Sequence, residues 1–327
     1  MTFRFHRWIA RSAAVLAALA CTATHAQPDT YPNRPIRVIV PSAPGGPADI
    51  IVRTIENKVA AILGQPLVLE YRTGASGTIG LQLATRAAPD GYTLVFVSET
   101  HTAAESLYAK RGYSIKTDLA PVAVMVSQPR VLVVNNKLPV KTVQELLAMA
   151  REQPGKLSFA SGGAGNVYHL AAALLQDKAN LDLLHVPYSQ AAMGRTDLVS
   201  GQIDMMFDAV GAILPQIQSG SVRPLAVTSR KRLDVLPHLP TLMEVGVEGY
   251  EFESISGLMA PAGTPAAIID KINAAVNTAL KDKTVQDSLR KAAMNPLTET
   301  PAQFGEWSNQ SVDKWAGVIK AVGIKIE

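Results

Sequence analysis

"VPSAPGGPADIIVRTI", residues Val40 to Ile55, decides the fold class. A β-branched run (Ile36, Val38, Ile39, Val40) leads into it, and apolar residues at helical spacing (Ile50, Ile51, Ile55, Val59, Ile62) lead out. Between them lie Pro41, Pro44, Pro47, Gly45, Gly46 and Asp49, a stiff turn with few side chains. A short strand-to-helix junction of this kind is the repeating joint of an α/β sheet. It leaves the first helical N–H groups without intrahelical partners, facing whatever lies beyond the strand's carboxyl end. The glycines allow close backbone approach and the prolines remove freedom that binding would otherwise have to freeze. Asp49 is placed to cap or brace the turn. The motif alone fits a rigid structural turn equally well.

Outward from this junction the alternation continues. Strands are expected at Ile36–Val40, Leu67–Tyr71, Thr93–Val97, Val122–Val126, Val131–Val134, Leu157–Ala160, Leu183–Val186, Asp204–Phe207 and Pro224–Thr228. Helices are expected at Asp49–Leu63, Thr78–Ala87, Val143–Arg151, Asn166–Asp177, Gly194–Ser200 and Ala212–Gln218. Parallel sheets in an α/β fold follow from that rhythm. From Thr264 onward the pattern turns nearly all helical, with Ala267–Leu280 and Pro301–Val322; Phe304, Trp307 and Trp315 read as core residues on the latter. The length suggests two domains, yet no Gly/Ser-rich linker divides them.

The first 26 residues read as a secretory signal. Arg4, Arg7 and Arg11 precede an apolar Ala13–Ala20 core, and Thr24-His25-Ala26 supplies the small residues of a cleavage site. Ala18-Leu19-Ala20-Cys21 offers the alternative of a lipoprotein cleavage box at the chain's single cysteine. The expected location is the periplasm, and the mature chain would carry no disulfide. Three of the 31 Lys and Arg, and none of the 27 Asp and Glu, fall in the signal. The mature chain is thus nearly neutral, which argues against nucleic-acid binding.

Two further glycine-rich junctions precede helix starts: Ser161-Gly162-Gly163-Ala164-Gly165-Asn166, ahead of a helix with His169, and Gly74-Ala75-Ser76-Gly77. Neither matches a phosphate-loop or dinucleotide pattern. Several helix N-termini aimed at one cleft would make a carboxylate site, each worth about 0.3–2 kcal/mol to an anion. Catalytic signatures are thin. There is no Gly-x-Ser-x-Gly elbow and no paired-histidine zinc motif. His101 and Glu105 at i, i+4 read as a helix-surface pair. No cofactor and no metal are expected.

Eight segments, in order and spacing, resemble the tripartite tricarboxylate transporter receptors, also called Bug proteins: "RPIRVIVPSAPGGPADI", "GQPLVLEYRTGASGTIG", "PDGYTL", "SFASGGAGNVYHLA", "HVPYSQAAMGRTDLVSGQIDMMFD", "VRPLAVTSRKR", "LPTLMEVGVEGY" and "GLMAPAGTP". The likeness covers residues 31–327. It implies a type II periplasmic-binding-protein fold, two α/β lobes with a central cleft and two crossover strands. The crossings fall near Gln128 and Glu253, so 27–128 with 253–327 form one lobe and 129–252 the other. The implied function is capture of a small carboxylate such as citrate, aspartate, glutamate, nicotinate or an aromatic diacid. A monomer would close on it and pass it to membrane permease subunits, or, in an orphan receptor, serve a sensor kinase. An exported α/β enzyme using His169 or Asp208 is the alternative.

The resemblance implies that the loops Ser42–Asp49 and Ser161–Asn166 hold the carboxylate from opposite lobes, and the expected ligand-binding set is Ser42, Ala43, Pro44, Gly45, Gly46, Pro47 and Asp49 on one lobe, with Ser76, Ser98, Glu99 and Thr100. Ser161, Gly163, Ala164, Gly165, Asn166, His169, Tyr188 and Asp208 face them from the other. This chain departs from the family at Ser42, where an aromatic is common, at Ala48 and Asn166, where Ser or Thr is common, and at Ile255, where Trp is common. Glu99 and Asp208 both follow strands. As two carboxylates beside an anion site they would favour an amine on the ligand; otherwise Glu99 faces solvent and Asp208 caps the next helix.

Overall fold

The structure is a computed structural model that describes residues 31–325. The signal segment and Cys21 lie outside the described residues. Strand β1 (Ile36–Val40) pairs in parallel with β2 (Leu67–Tyr71) on one side and β3 (Thr93–Ser98) on the other. Helix α1 (Pro47–Leu63) joins β1 to β2. Its Ile51, Val52, Ile55 and Val59 are buried, and it ends at Gly64 in the left-handed conformation that suits glycine. Helix α2 (Thr78–Thr85) precedes β3, and α3 (Glu99–Leu107) follows it directly. The sequence pattern missed α3 because its Glu-Thr-His-Thr start carries no apolar stripe.

A short helix α4 (Ile115–Asp118) leads into β4 (Leu119–Asn135), a 17-residue strand. Two separate strands were expected here, Val122–Val126 and Val131–Val134, and Pro129 between them cannot donate to a ladder. The chain nonetheless runs straight through, and Pro129 sits where β4 changes partners. Before it, Leu119 to Pro129 pair antiparallel with β9 (Glu253–Pro261); after it, Arg130 to Asn135 pair antiparallel with β7 (Met205–Ala209) and β8 (Val222–Val227). Strands β5 (Ser158–Ser161) and β6 (Leu184–Pro187) continue the second half in parallel, so the order is β2-β1-β3-β9-β4-β7-β5-β6. The sheet is therefore mixed, with parallel edges and an antiparallel centre, because the strands that cross between the halves must run against their neighbours. A two-residue strand, β10 (Asn295–Pro296), pairs with the first part of β4.

Helices α5 (Val143–Glu152), α6 (Val167–Ala179), α7 (Ala191–Ser200) and α8 (Val210–Gln218) cover the second half. Alternation along β4 explains its continuous apolar run. Leu132 and Val134 enter one core with Phe159, Leu170, Phe207, Tyr250 and Phe252; Val131 and Val133 enter another with Met206, Ile213 and Val227. A third core, under β1 and β3, holds Ile39, Leu81, Val95, Val97 and Phe304.

The C-terminal part is helical as expected, with α9 (Ala266–Leu280), α10 (Lys283–Lys291) and α11 (Pro301–Val322). Thr300 and Gln303 form a reciprocal capping box at the start of α11. Phe304 packs in the core under β1 and β3, whereas Trp315, Val318 and Ile319 pack in the core of the second half, with Trp315 edge-on to Phe252. One helix thus contributes to both halves. No described helix is long and apolar enough to cross a membrane.

Candidate functional site

The strand ends of both halves open on one cavity of about 500 Å³, within the range of small-molecule sites. Its first wall is the opening motif. Pro41, Ser42, Ala43, Pro47, Ala48 and Ile51 line it. No side chain caps α1, so the Ala48 and Asp49 amides stay without intrahelical acceptors, while Pro47 has no N–H to leave orphaned. The Ser42 hydroxyl is buried without a partner. Pro44, Gly45, Gly46 and Asp49 do not line the cavity; they shape the turn. Gly45 has φ +79° with open space where a Cβ would stand, so its conformation, not close approach, calls for glycine. Asp49 accepts from the Gly45 amide (2.7 Å), Arg53 (2.8 Å) and the Tyr71 hydroxyl (2.6 Å). Burial pushes the Asp49 carboxyl up, but Tyr71, Gly45 and Arg53 together hold it below its usual value.

The adjoining wall comes from Thr73, Gly74, Ser76 and Gly77, and from Ser98, Thr100 and His101 at the start of α3. His101 Nδ1 accepts the Ser98 amide (2.9 Å), and burial lowers its pKa to about 4, so it is neutral. The i, i+4 partner Glu105 is spent elsewhere: it accepts from the Ile115 amide and from Arg111. No cluster of three metal-ligating side chains exists among the described residues.

The opposite wall is Gly162, Asn166, Val167 and Tyr168, with Ser189. The Asn166 side-chain oxygen caps α6, accepting from the Tyr168 (3.1 Å) and His169 (3.0 Å) amides; the Val167 amide is left over. Ser161, Gly163, Ala164, Gly165 and His169 lie behind the turn. His169 Nδ1 accepts the Gly165 amide (3.0 Å) and its ring stacks on His185 at 3.8 Å, while the Ser161 hydroxyl bonds His185 (2.7 Å) and accepts from the Gly163 amide. Burial, then His185, lowers the His169 pKa to about 3, which makes the ring a weak base, and His169 does not line the cavity. Tyr188 points its hydroxyl to Asp197 (2.7 Å) rather than into the cavity.

Two expectations need correction. Asp208 is fully buried and held by Arg195 through two hydrogen bonds (2.6 and 3.1 Å), with a third from the Ala209 amide (2.7 Å). Its charge is spent in the fold. Glu99 does not line the cavity either, and it does not face solvent: it is 5% exposed with one oxygen unpartnered. Burial pushes its pKa up to about 8 against the pull of Lys314, the Ser254 hydroxyl and Arg130. The pair of free carboxylates flanking an anion site does not form.

The floor holds what the sequence reading missed. Gln128 and Arg130 of β4 and Ser254 and Ser256 of β9 line the cavity, with Phe96 of β3 beside them. Arg130 is 1% exposed. Its guanidinium lies over the Tyr168 ring at 5.2 Å, and its Nε has no partner. A charged residue directly before the apolar run Val131–Val134 was the available signal, since arginine is rarely fully buried without a job.

A family model described as "Tripartite tricarboxylate transporter family receptor" matches residues 51–324. The chain belongs to this receptor family. Among its relatives is Protein BugT of Bordetella pertussis, 34% identical over 322 residues, 97% of this chain and 99% of BugT. The receptor fold is equally clear in solved structures. The periplasmic binding protein BugD superposes with a TM-score of 0.78 at 33% identity, over 91% of this chain and all of BugD. The R. palustris protein Rpa4515, solved with adipate, gives 0.80 at 32% identity, over 90% of this chain and 99% of that one. The family is one of transporter receptors, its solved member BugD is a periplasmic binding protein, and the α/β binding-protein fold expected from the resemblance is the one found.

Proposed function

We propose that this receptor captures a small organic carboxylate in the periplasm, without chemistry, and delivers it as a monomer to the membrane permease of a tripartite tricarboxylate transporter. One observation carries the reading: turns ending β1 and β5, from different halves of the sheet, wall a single cavity with helix starts on both sides. Free amides at Ala48 and Val167 and the Ser42 hydroxyl suit carboxylate oxygens. The adipate complex of a relative supports the same class of ligand. The lobes are 27–128 with 253–327 and 129–252, hinging where β4 exchanges partners at Pro129 and where β9 begins at Glu253. Residues 1–26 act as the export signal, with the mature chain starting near Gln27.

Calorimetry with a panel of mono- and dicarboxylates tests the assignment. Saturation at about 100 times Kd should add roughly 2.7 kcal/mol of stability and return the ligand unchanged. A smaller radius of gyration in the complex, by small-angle scattering, should accompany it. Consumption of the ligand, or no binding by any carboxylate, refutes the receptor reading.

A further inference from the structure

The geometry points to Arg130 as the residue that selects ligands with a second anionic group, so that the cleft prefers a small diacid to the matching amino acid or monoacid. This rests on the cleft being a carboxylate site. Among the described residues lining the cavity, Arg130 is the only one with a formal charge; no Asp or Glu lines it, and His101 is neutral. The guanidinium is under-used by the fold. Its Nε is unpartnered, and Nη1 makes only long contacts of 3.4 Å to the Gln128 and Pro129 carbonyls. The nearby buried acid Asp208 is committed to Arg195. Glu99 feels Lys314 more strongly than Arg130. A buried cation in this condition is costly unless something anionic meets it. Tyr168 covers one face of the guanidinium, and the edge that carries Nε meets no acceptor of this chain, where a carboxylate would complete the fork.

Position separates this anchor from the Ala48 amide at the start of α1. Three strand spacings, β1 to β3 to β9 to β4, lie between them, about 14 Å along the sheet. One carboxylate does not bridge that distance. Ser98 and Ser256, paired across β3 and β9, line the cavity between the two ends, with Ser254 beyond. An ammonium entering here meets no carboxylate, so a zwitterion loses its hydration without an ionic partner.

The test uses matched four- to six-carbon sets on the full mature chain by titration calorimetry, for example glutarate, glutamate and pentanoate. The parent should bind the best diacid about a hundredfold more tightly than its amino-acid and monoacid counterparts. Arg130→Gln should erase that margin while leaving the monoacid within about threefold; its retained monoacid binding and melting curve verify the fold. Arg130→Lys, which keeps charge but not the fork, should fall between. A parent that prefers the amino acid or shows no preference overturns the inference. So does a folded Arg130→Gln protein that loses monoacid and diacid alike, since Arg130 would then grip the sole carboxylate. If Arg130→Gln does not fold, the Arg130→Lys ratio decides: narrowed supports, unchanged refutes. No binding of any acid by the parent refutes the receptor reading itself.

Discussion

Replacing Asp208 with Asn separates a structural acid from a ligand-facing one. Asp208 is wholly buried, takes two hydrogen bonds from Arg195 and one from the Ala209 amide, and leaves no oxygen for the cavity. Breaking a buried ion pair costs about 3–5 kcal/mol. Asn keeps the shape and one acceptor oxygen, which places the expected loss near the lower end, about 3 kcal/mol. The unit Arg34–Glu327 has an unfolding entropy of about 0.6 kcal/mol per kelvin on per-residue averages. The melting temperature should therefore drop by about 5 °C in scanning calorimetry at pH 7. Affinity for a carboxylate should stay level or tighten slightly, because one negative charge leaves the neighbourhood of Arg130. A melting temperature within 1 °C of the parent would refute the ion-pair argument. Selective loss of amine-bearing ligands from the folded variant would show instead that the Asp208 charge reaches the ligand.

Glu99 makes stability depend on pH. Burial first, opposed by Lys314, Ser254 and Arg130, raises its folded pKa from 4.5 to about 8, so the folded chain holds this proton more tightly than the unfolded one. Its contribution is complete below about pH 4.5 and is lost as pH rises towards 8; Glu99→Gln should flatten urea-unfolding stability across that window, and an unchanged slope would show that the proton sits elsewhere. At Gly45 the left-handed backbone with open space around it makes Val costly, about 1–2 kcal/mol, whereas Asn, which tolerates that region, should bind ligand as the parent does. Loss of affinity in a folded Gly45→Asn protein would show that close approach is what the glycine supplies.

Local chemistry made much of this protein legible in one dimension. Strand-to-helix junctions with Pro and Gly, periodic apolar faces and the αL stop at Gly64 are short-range features, and they located β1, α1, β5, α6 and the turns that wall the cavity within a residue or two. What depends on partners distant in sequence was not legible. That β4 passes Pro129 unbroken follows from β9 meeting it on one side and β7 and β8 on the other. Which member of a glycine-rich turn faces the cleft depends on the second half packing behind it: His185, 16 residues beyond His169, turns that histidine and Ser161 into supports. Charge was misread for the same reason. In a string of letters Asp208 and Glu99 look free and Arg130 looks like one more basic residue. Only the tertiary fold pairs Asp208 with Arg195, buries Glu99 near Lys314, and leaves Arg130 as the charge the cavity presents. An ionisable group's role is set by its surroundings in space, and those are assembled from residues as far apart in the chain as Glu99 and Lys314.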